Sequence, residues 1–178
     1  MRMMTYSSLV ALCVVVAGSI AGGCSSTPET DAERQARWTA GNLTSFETEN
    51  GIGPITEDAQ VAAADPSRAV AGQEIFIKKC ATCHYLDHKK TGPMLRDVTK
   101  RRSAQYILNQ ILNPEQMGKL HPDGRKLVAQ YAQYMTIQGI TRENAEDILN
   151  FLRSEAGKPA LPAEQQPGFG TPPPPPGQ

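Results

Sequence analysis

Apolar residues recur at helical spacing between residues 66 and 157. The first helix opens at Asp65-Pro66, with aspartate as N-cap and proline at the first helical position. Gly72, Phe76 and Cys80 follow at intervals of four residues, so they share one stripe of this helix. A glycine inside a helix costs about 1 kcal/mol relative to alanine. Gly72 therefore predicts a close crossing with another helix.

Three further helices are predicted in this part of the chain. The second runs over residues 103–112 and ends at Asn113-Pro114, because the residue before a proline avoids helical geometry. The third covers residues 123–134, and the fourth opens at Thr141. No segment alternates convincingly as a strand. The pattern predicts a small all-α domain at residues 66–157 with a thin core, and the fourth helix buries Ile148, Leu149, Phe151 and Leu152.

The N-terminus reads as an export signal over residues 1–23. Arg2 precedes a short apolar run, and small residues then lead into Cys24. This order is similar to a bacterial lipobox, although Ala21 stands where leucine is usual. We therefore expect Cys24 to be lipidated and to anchor a periplasm-facing protein in the inner or the outer membrane. The alternative is an ordinary signal peptide cleaved nearby, which leaves a soluble protein.

Residues 24–65 hold two basic and eight acidic side chains, and their few large apolar residues are scattered. We predict an acidic, flexible tether with a mean reach of about 35 Å, in which Trp38 is exposed to solvent. Residues 158–178 are rich in proline and predict a disordered tail.

Charge is distributed unevenly although the formal net charge is zero. Residues 66–157 carry fourteen basic and nine acidic side chains. Either this is a solvated face, or it is a basic ring that steers redox proteins with an acidic docking face. Nucleic acid is not an expected partner of an exported chain. The basic side chains cluster in the first half of the domain: Lys78, Lys79, Lys89, Lys90, Arg96, Lys100, Arg101 and Arg102.

The chemistry centres on Cys80-Ala81-Thr82-Cys83-His84. Two cysteines at this spacing followed by histidine are the pattern for covalent attachment of a c-type haem, with Cys80 and Cys83 forming thioethers and His84 binding iron. A redox dithiol would require a βαβ pattern, and a zinc site would require a second ligand pair. The sequence has neither. It therefore predicts one covalently bound haem c.

The order of these motifs resembles class I monohaem cytochromes c. The resemblance spans about residues 66–155 and includes Gly92-Pro93 and Asn113-Pro114. It implies about four helices wrapped around the haem and a crossing of the first and last helices near Gly72 and Phe151. It also implies a bond from His84 Nδ1–H to the Pro93 carbonyl, which orients the ligand. The stretch after Asn113-Pro114 is unusually long for this family.

The second axial ligand has to come from a separate segment. Met94 adjoins Pro93 and is expected on the wrong side of the iron. In the resembling family the axial methionine precedes the last helix, which selects Met135. Met117 is an alternative ligand, although core filling or surface exposure explains it better. The remaining alternatives are an open site or a second histidine, His88 or His121.

These features predict an electron carrier, not an enzyme, with a six-coordinate iron cycling between Fe(II) and Fe(III) in a respiratory chain. It would act as a free shuttle or as a subunit of a larger oxidoreductase complex. A peroxidase-like catalyst or a ligand sensor would need an open or labile distal site. An envelope protein with an accidental Cys-x-x-Cys-His motif would carry no covalent haem.

Overall fold

The computed structural model describes residues 28–170, and this part of the chain is helical without a strand. Short 3-10 turns lie at Asp58–Gln60, Pro66–Arg68 and Ala163–Gln165. The predicted all-α class is confirmed. Between residues 28 and 170 the chain forms eight α-helices in this order: α1 Asp31–Thr39, α2 Ser45–Asn50, α3 Ala69–Lys79, α4 Val98–Arg101, α5 Ala104–Leu112, α6 Pro114–Leu120, α7 Pro122–Tyr131 and α8 Arg142–Glu155.

Helices α3 and α8 cross at Gly72, as the family resemblance implies. A Cβ atom on Gly72 would overlap the carbonyl oxygen of Asp147 and press on Phe151, so only glycine allows this approach. One turn further along, the rings of Phe76 and Phe151 lie 5.2 Å apart in a tilted arrangement. Both rings are buried. We call the cluster around this crossing the haem-side core, and it also contains Leu86, Leu108, Ile148 and Leu149.

The prediction of a flexible tether is wrong for residues 28–56, because these residues fold onto the helices that follow. The predicted domain boundary at residue 66 stays a prediction. Thr30 and Thr44 begin α1 and α2 with capping boxes. Trp38 is buried, and its Nε1–H donates to the carboxylate of Glu47 at 2.7 Å. A folded N-terminal arm, residues 28–56, therefore packs on α5, on α6 and on His121, which lies between α6 and α7.

A second cluster forms where the arm meets these helices, and we call it the arm-side core. It contains Trp38, Ile52, Tyr106 and Met117. The scattered apolar residues of the arm are too few to form a core alone, but they complete one when added to the exposed side of α5 and α6. Their sparseness in the sequence is why the segment resembles a linker.

The tail prediction is also wrong for residues 158–170. The Gln166 side chain is buried, and its Oε1 accepts hydrogen bonds from the backbone N–H groups of Leu86 and Asp87. The Gln166 Nε2 donates to the Leu161 carbonyl at 2.7 Å. This C-terminal strap thus packs against the loop that follows the Cys-x-x-Cys-His motif. Residues 171–178 lie outside the described part of the chain.

Helix boundaries differ from prediction after Asn113. The polar stretch 114–120 forms α6, with Pro114 at the first helical position. The next helix starts at Pro122 and ends at Tyr131, where Ala132 adopts a left-handed conformation. Within residues 28–170 no helix is long and apolar enough to cross a membrane. The export signal and Cys24 lie outside the described residues, so both stay predictions.

Candidate haem site

The cysteine motif forms a tight turn directly after α3. Cys80 caps the helix, and its N–H donates to the Phe76 carbonyl. The Cys80 carbonyl then accepts from the N–H groups of Cys83 and His84 at 3.0 and 2.9 Å. This turn brings both thiols and the imidazole to the wall of one cavity. Burial and the neighbouring Cys83 raise the pKa of the Cys80 thiol to about 12.

His84 is oriented by the loop over residues 91–93. Its Nδ1 lies 2.9 Å from the Pro93 carbonyl oxygen, so the contact that the family resemblance implies is confirmed. A carbonyl oxygen only accepts, so Nδ1 carries the proton and Nε2 keeps a free lone pair. Burial lowers the pKa of His84, with the Pro93 bond acting in the opposite direction. Gly92 lies against the ring, where a Cβ atom would overlap it.

The cavity has a volume of about 460 Å³. That volume lies within the usual range of about 300–1,000 Å³ for ligand pockets. One wall carries Cys80, Cys83 and His84, and Met135 lies on the lining as well. Most of the remaining lining is apolar, including Phe76, Ile107, Ile111, Leu127 and Leu152. Two thiols, an imidazole and a thioether around an apolar space fit a covalently attached haem.

Helix α5 and the start of α6 contact the cavity with one face and the N-terminal arm with another. Ile107, Gln110, Ile111 and Pro114 line the cavity, and their spacing is that of one helical face. Asn109 and Asn113 bond to the arm, and Met117 belongs to the arm-side core. Tyr106 belongs to the arm-side core and also borders the cavity. The helix is therefore held between the two.

Met135 lies in the irregular segment between α7 and α8. Its side chain is half-buried, and its Sδ accepts a hydrogen bond from Gln110 Nε2 at 3.5 Å. The segment around it is largely exposed, with Tyr134 and Ile137 facing solvent. Sequence reasoning missed Gln110, which the hydrophobic periodicity of α5 gave no reason to single out.

The alternative ligands have other contacts. Met117 is fully buried in the arm-side core, where its Sδ accepts from Ile52 N–H at 3.2 Å, and it does not line the cavity. His121 Nε2 donates to the carbonyls of Glu47 and Thr48. His88 Nε2 donates to the carbonyl of Leu161 at 3.0 Å. Core filling is therefore the role of Met117.

Met94 borders the cavity next to Pro93, and about half of its side chain is exposed. Of the three cations at 100–102, Arg101 and Arg102 line the cavity. Lys100 instead pairs with Asp97 at 3.0 Å. Arg102 lies over the ring of Tyr106 and pairs with Asp123 at 2.7 Å.

Arg96, one of the cations of the predicted basic ring, does not lie on the surface. Arg96 is buried and forms ion pairs with Asp87 and Glu155, whose side chains are also largely buried. It ties the loop after the haem motif to the end of α8, so its charge is compensated inside the fold. Lys78, Lys100 and Arg101 are exposed. Lys89 lies over the ring of Tyr131.

Comparisons with known proteins agree with this geometry. The cytochrome c family model matches residues 69–156. Cytochrome c from Rhodothermus marinus is 39% identical with a TM-score of 0.57, and the match covers 62% of this chain and 95% of that one. The engineered Rhodothermus marinus cytochrome c Rma TDE is 38% identical, with a TM-score of 0.57, over 63% of this chain and 97% of that one.

Rma TDE bound to a carbene intermediate, 1-ethoxy-1-oxopropan-2-ylidene, is also 38% identical, with a TM-score of 0.55, over 63% of this chain and 97% of that one. A comparison with curated proteins found no match. The family is one of haem-based electron carriers. Because this chain aligns with nearly the whole of a cytochrome c at 39% identity, it belongs to the cytochrome c family and carries covalently attached haem c.

Proposed function

We propose that this protein is a monohaem electron carrier of the bacterial cell envelope. Cys80 and Cys83 would hold the haem, while His84 and Met135 bind the iron from its two faces. A lipid on Cys24 would tether the protein to a membrane on its periplasmic side. The observation that carries the proposal is the shared cavity, where both thiols, the free Nε2 of His84 and Met135 meet an apolar lining.

Each of these residues has a separate task. The Pro93 carbonyl fixes the tautomer of His84, so that Nε2 presents its lone pair to the cavity. The apolar lining would exclude water, and the exposed Arg101, which lines the cavity, would compensate a haem carboxylate. When bound, haem supplies a one-electron couple, and a thioether ligand favours its ferrous state.

Partners are proposed from charge and exposure. Lys78, Lys100 and Arg101 are exposed, and Arg101 lines the cavity. Exposed cations beside a redox centre attract an acidic docking face and accelerate encounter at low salt. We therefore propose envelope redox proteins of a respiratory chain as partners.

The test uses the full chain matured with covalent haem. We expect a c-type reduced spectrum that survives acid-acetone extraction, and a methionine–iron charge-transfer band that disappears in Met135→Ala. Met94→Ala is the matched control, because Met94 also borders the cavity beside Pro93. A band that persists in Met135→Ala would contradict the ligand assignment, and extractable haem would contradict attachment through Cys80 and Cys83.

A second candidate is haem-based catalysis or ligand sensing at a labile distal site. Met135 lies in an irregular, largely exposed segment, and the similar engineered cytochrome is bound to a carbene intermediate. High-spin iron that binds carbon monoxide readily in the wild-type protein would favour this function over electron transfer.

A further inference from the structure

Gln110 makes an unusual pair of interactions. Its Nε2 donates to the Sδ of Met135 at 3.5 Å, whereas its Oε1 is buried without a hydrogen-bond partner among the described residues. An unpartnered buried carbonyl oxygen costs free energy. If the amide group were rotated by 180°, Oε1 would face the sulfur of Met135. Both atoms are hydrogen-bond acceptors, so no hydrogen bond could form between them. The orientation is therefore the one in which the amide serves Met135.

The interaction is compatible with a role for Met135 as an iron ligand. A thioether sulfur has two lone pairs, so it can bind a metal with one and accept a hydrogen bond with the other. Gln110 lines the same cavity as Met135. The segment that carries Met135 has no helix, and within it Tyr134 and Ile137 are exposed. A donor on α5 therefore supplies a fixed point for the Met135 side chain itself.

Helix α5 is in turn held by the arm through Asn109, the residue before Gln110. Asn109 is fully buried, and its Nδ2 donates to the carbonyls of Asn50 and Ile55 at 3.0 and 2.9 Å. Its Oδ1 accepts from the Ile55 N–H at 2.9 Å. Consecutive helix residues point about 100° apart, so Asn109 faces the arm while Gln110 faces the cavity.

We propose that Gln110 is the positioning residue for Met135, and that the N-terminal arm keeps Gln110 in place by holding Asn109. This inference rests on the proposed role of Met135 as the distal ligand. The arm then supports the haem site from outside, since none of residues 28–56 lines the cavity.

The test is the binding of imidazole to the ferric, haem-loaded full chain, followed by absorption spectroscopy. Imidazole reaches the iron only when Met135 leaves it, so its affinity reports how firmly Met135 is held. We expect Gln110→Leu to bind imidazole about tenfold more tightly, which corresponds to about 1.4 kcal/mol and to the loss of one hydrogen bond. Gln105→Leu, on the same helix, is the control and should match the wild type.

Asn109→Ala tests the contribution of the arm. It leaves Gln110 intact, and we expect tighter imidazole binding by a factor of about three. An unchanged affinity in Asn109→Ala would overturn the role of the arm, and an unchanged affinity in Gln110→Leu would overturn the whole inference.

Met135→Ala, measured in the same series, separates the two proposals. If the methionine–iron charge-transfer band disappears in Met135→Ala while Gln110→Leu binds imidazole like the wild type, only the positioning role is wrong. If the band persists in Met135→Ala, the ligand assignment is wrong and the inference falls with it.

Discussion

The two cores of this protein are held together in different ways. The haem-side core consists of apolar side chains around the crossing of α3 and α8, where Gly72 lets the helices approach and Phe76 meets Phe151. The arm-side core is small, and much of its attachment comes from polar side chains that bond to backbone groups of the arm. Asn109, Asn113 and His121 all make such bonds.

The difference indicates how each core should respond to substitution. Apolar packing depends on volume, so the haem-side core should be most sensitive to added atoms. Directional bonds depend on donors and acceptors, so the arm-side core should be most sensitive to the loss of a polar group. Three substitutions test this contrast.

The largest effect is expected from Gly72→Val. The new side chain would overlap the Asp147 carbonyl and Phe151, which forces α3 away from α8. We expect a loss of about 3 kcal/mol in the free energy of unfolding, at the upper end for overpacked sites. Chemical denaturation of the haem-loaded protein measures it. Ala71→Val on the exposed side of α3 is the control, and equal losses in the two variants would disprove a close crossing.

Asn109→Ala should have the next largest effect. It removes the donor to the arm carbonyls and the acceptor of Ile55 N–H, and leaves these buried groups unpaired. We expect a loss of about 2 kcal/mol in the free energy of unfolding. Gln105→Ala, which removes a single bond to Asp58, is the control. Amide hydrogen exchange should locate the loosening in residues 47–56, and protection there as in the wild type would refute the role of Asn109.

The smallest effect at neutral pH is expected from His121→Asn. The variant loses the Nε2 bonds to the arm, which costs about 1 kcal/mol, but keeps a side chain suited to cap α7. Burial lowers the pKa of His121 from its ordinary value of 6.5. Below that value the unfolded chain binds a proton that the folded protein does not, so His121 loses its stabilising effect as the pH falls.

The gap in stability between wild type and His121→Asn should therefore narrow from pH 7.5 to pH 5.5. Denaturation at both pH values measures this change. A gap that stays constant would show that His121 has the same pKa in the folded and unfolded chains.

The difference between the two cores also explains which parts of the fold could be predicted from the sequence. The helical spacing at Gly72 predicted a close crossing, and the family resemblance supplied the last helix and Phe151 as its partner. The Cys-x-x-Cys-His motif was readable because its chemistry is local, whereas the contact with Pro93 came from the family resemblance. The fold of the arm could not be predicted from the sequence, because its attachment depends on side chains such as Asn109 and His121. These residues lie more than fifty positions away in sequence from their partners in the arm.

The same reason explains why Gln110 was missed. Its place in the sequence suits a half-exposed helix position, and only the return of the chain to Met135 gives it a partner. Trp38 and Gln166 were predicted to lie in flexible segments for an equivalent reason. Each side chain is buried against residues far away in the sequence, so the residues around it give no sign of its burial.

The folded arm also limits how far a lipid anchor would let the protein travel. Thr30, where α1 is capped, follows Cys24 by six positions in the sequence. Fully extended, this stretch spans about 20 Å, less than the mean reach of a forty-residue linker. If Cys24 carries the proposed lipid, so short a linker would keep the domain close to the membrane surface. Encounters with its partners would then depend on lateral diffusion, and the partners themselves would have to present their redox centres close to the same bilayer.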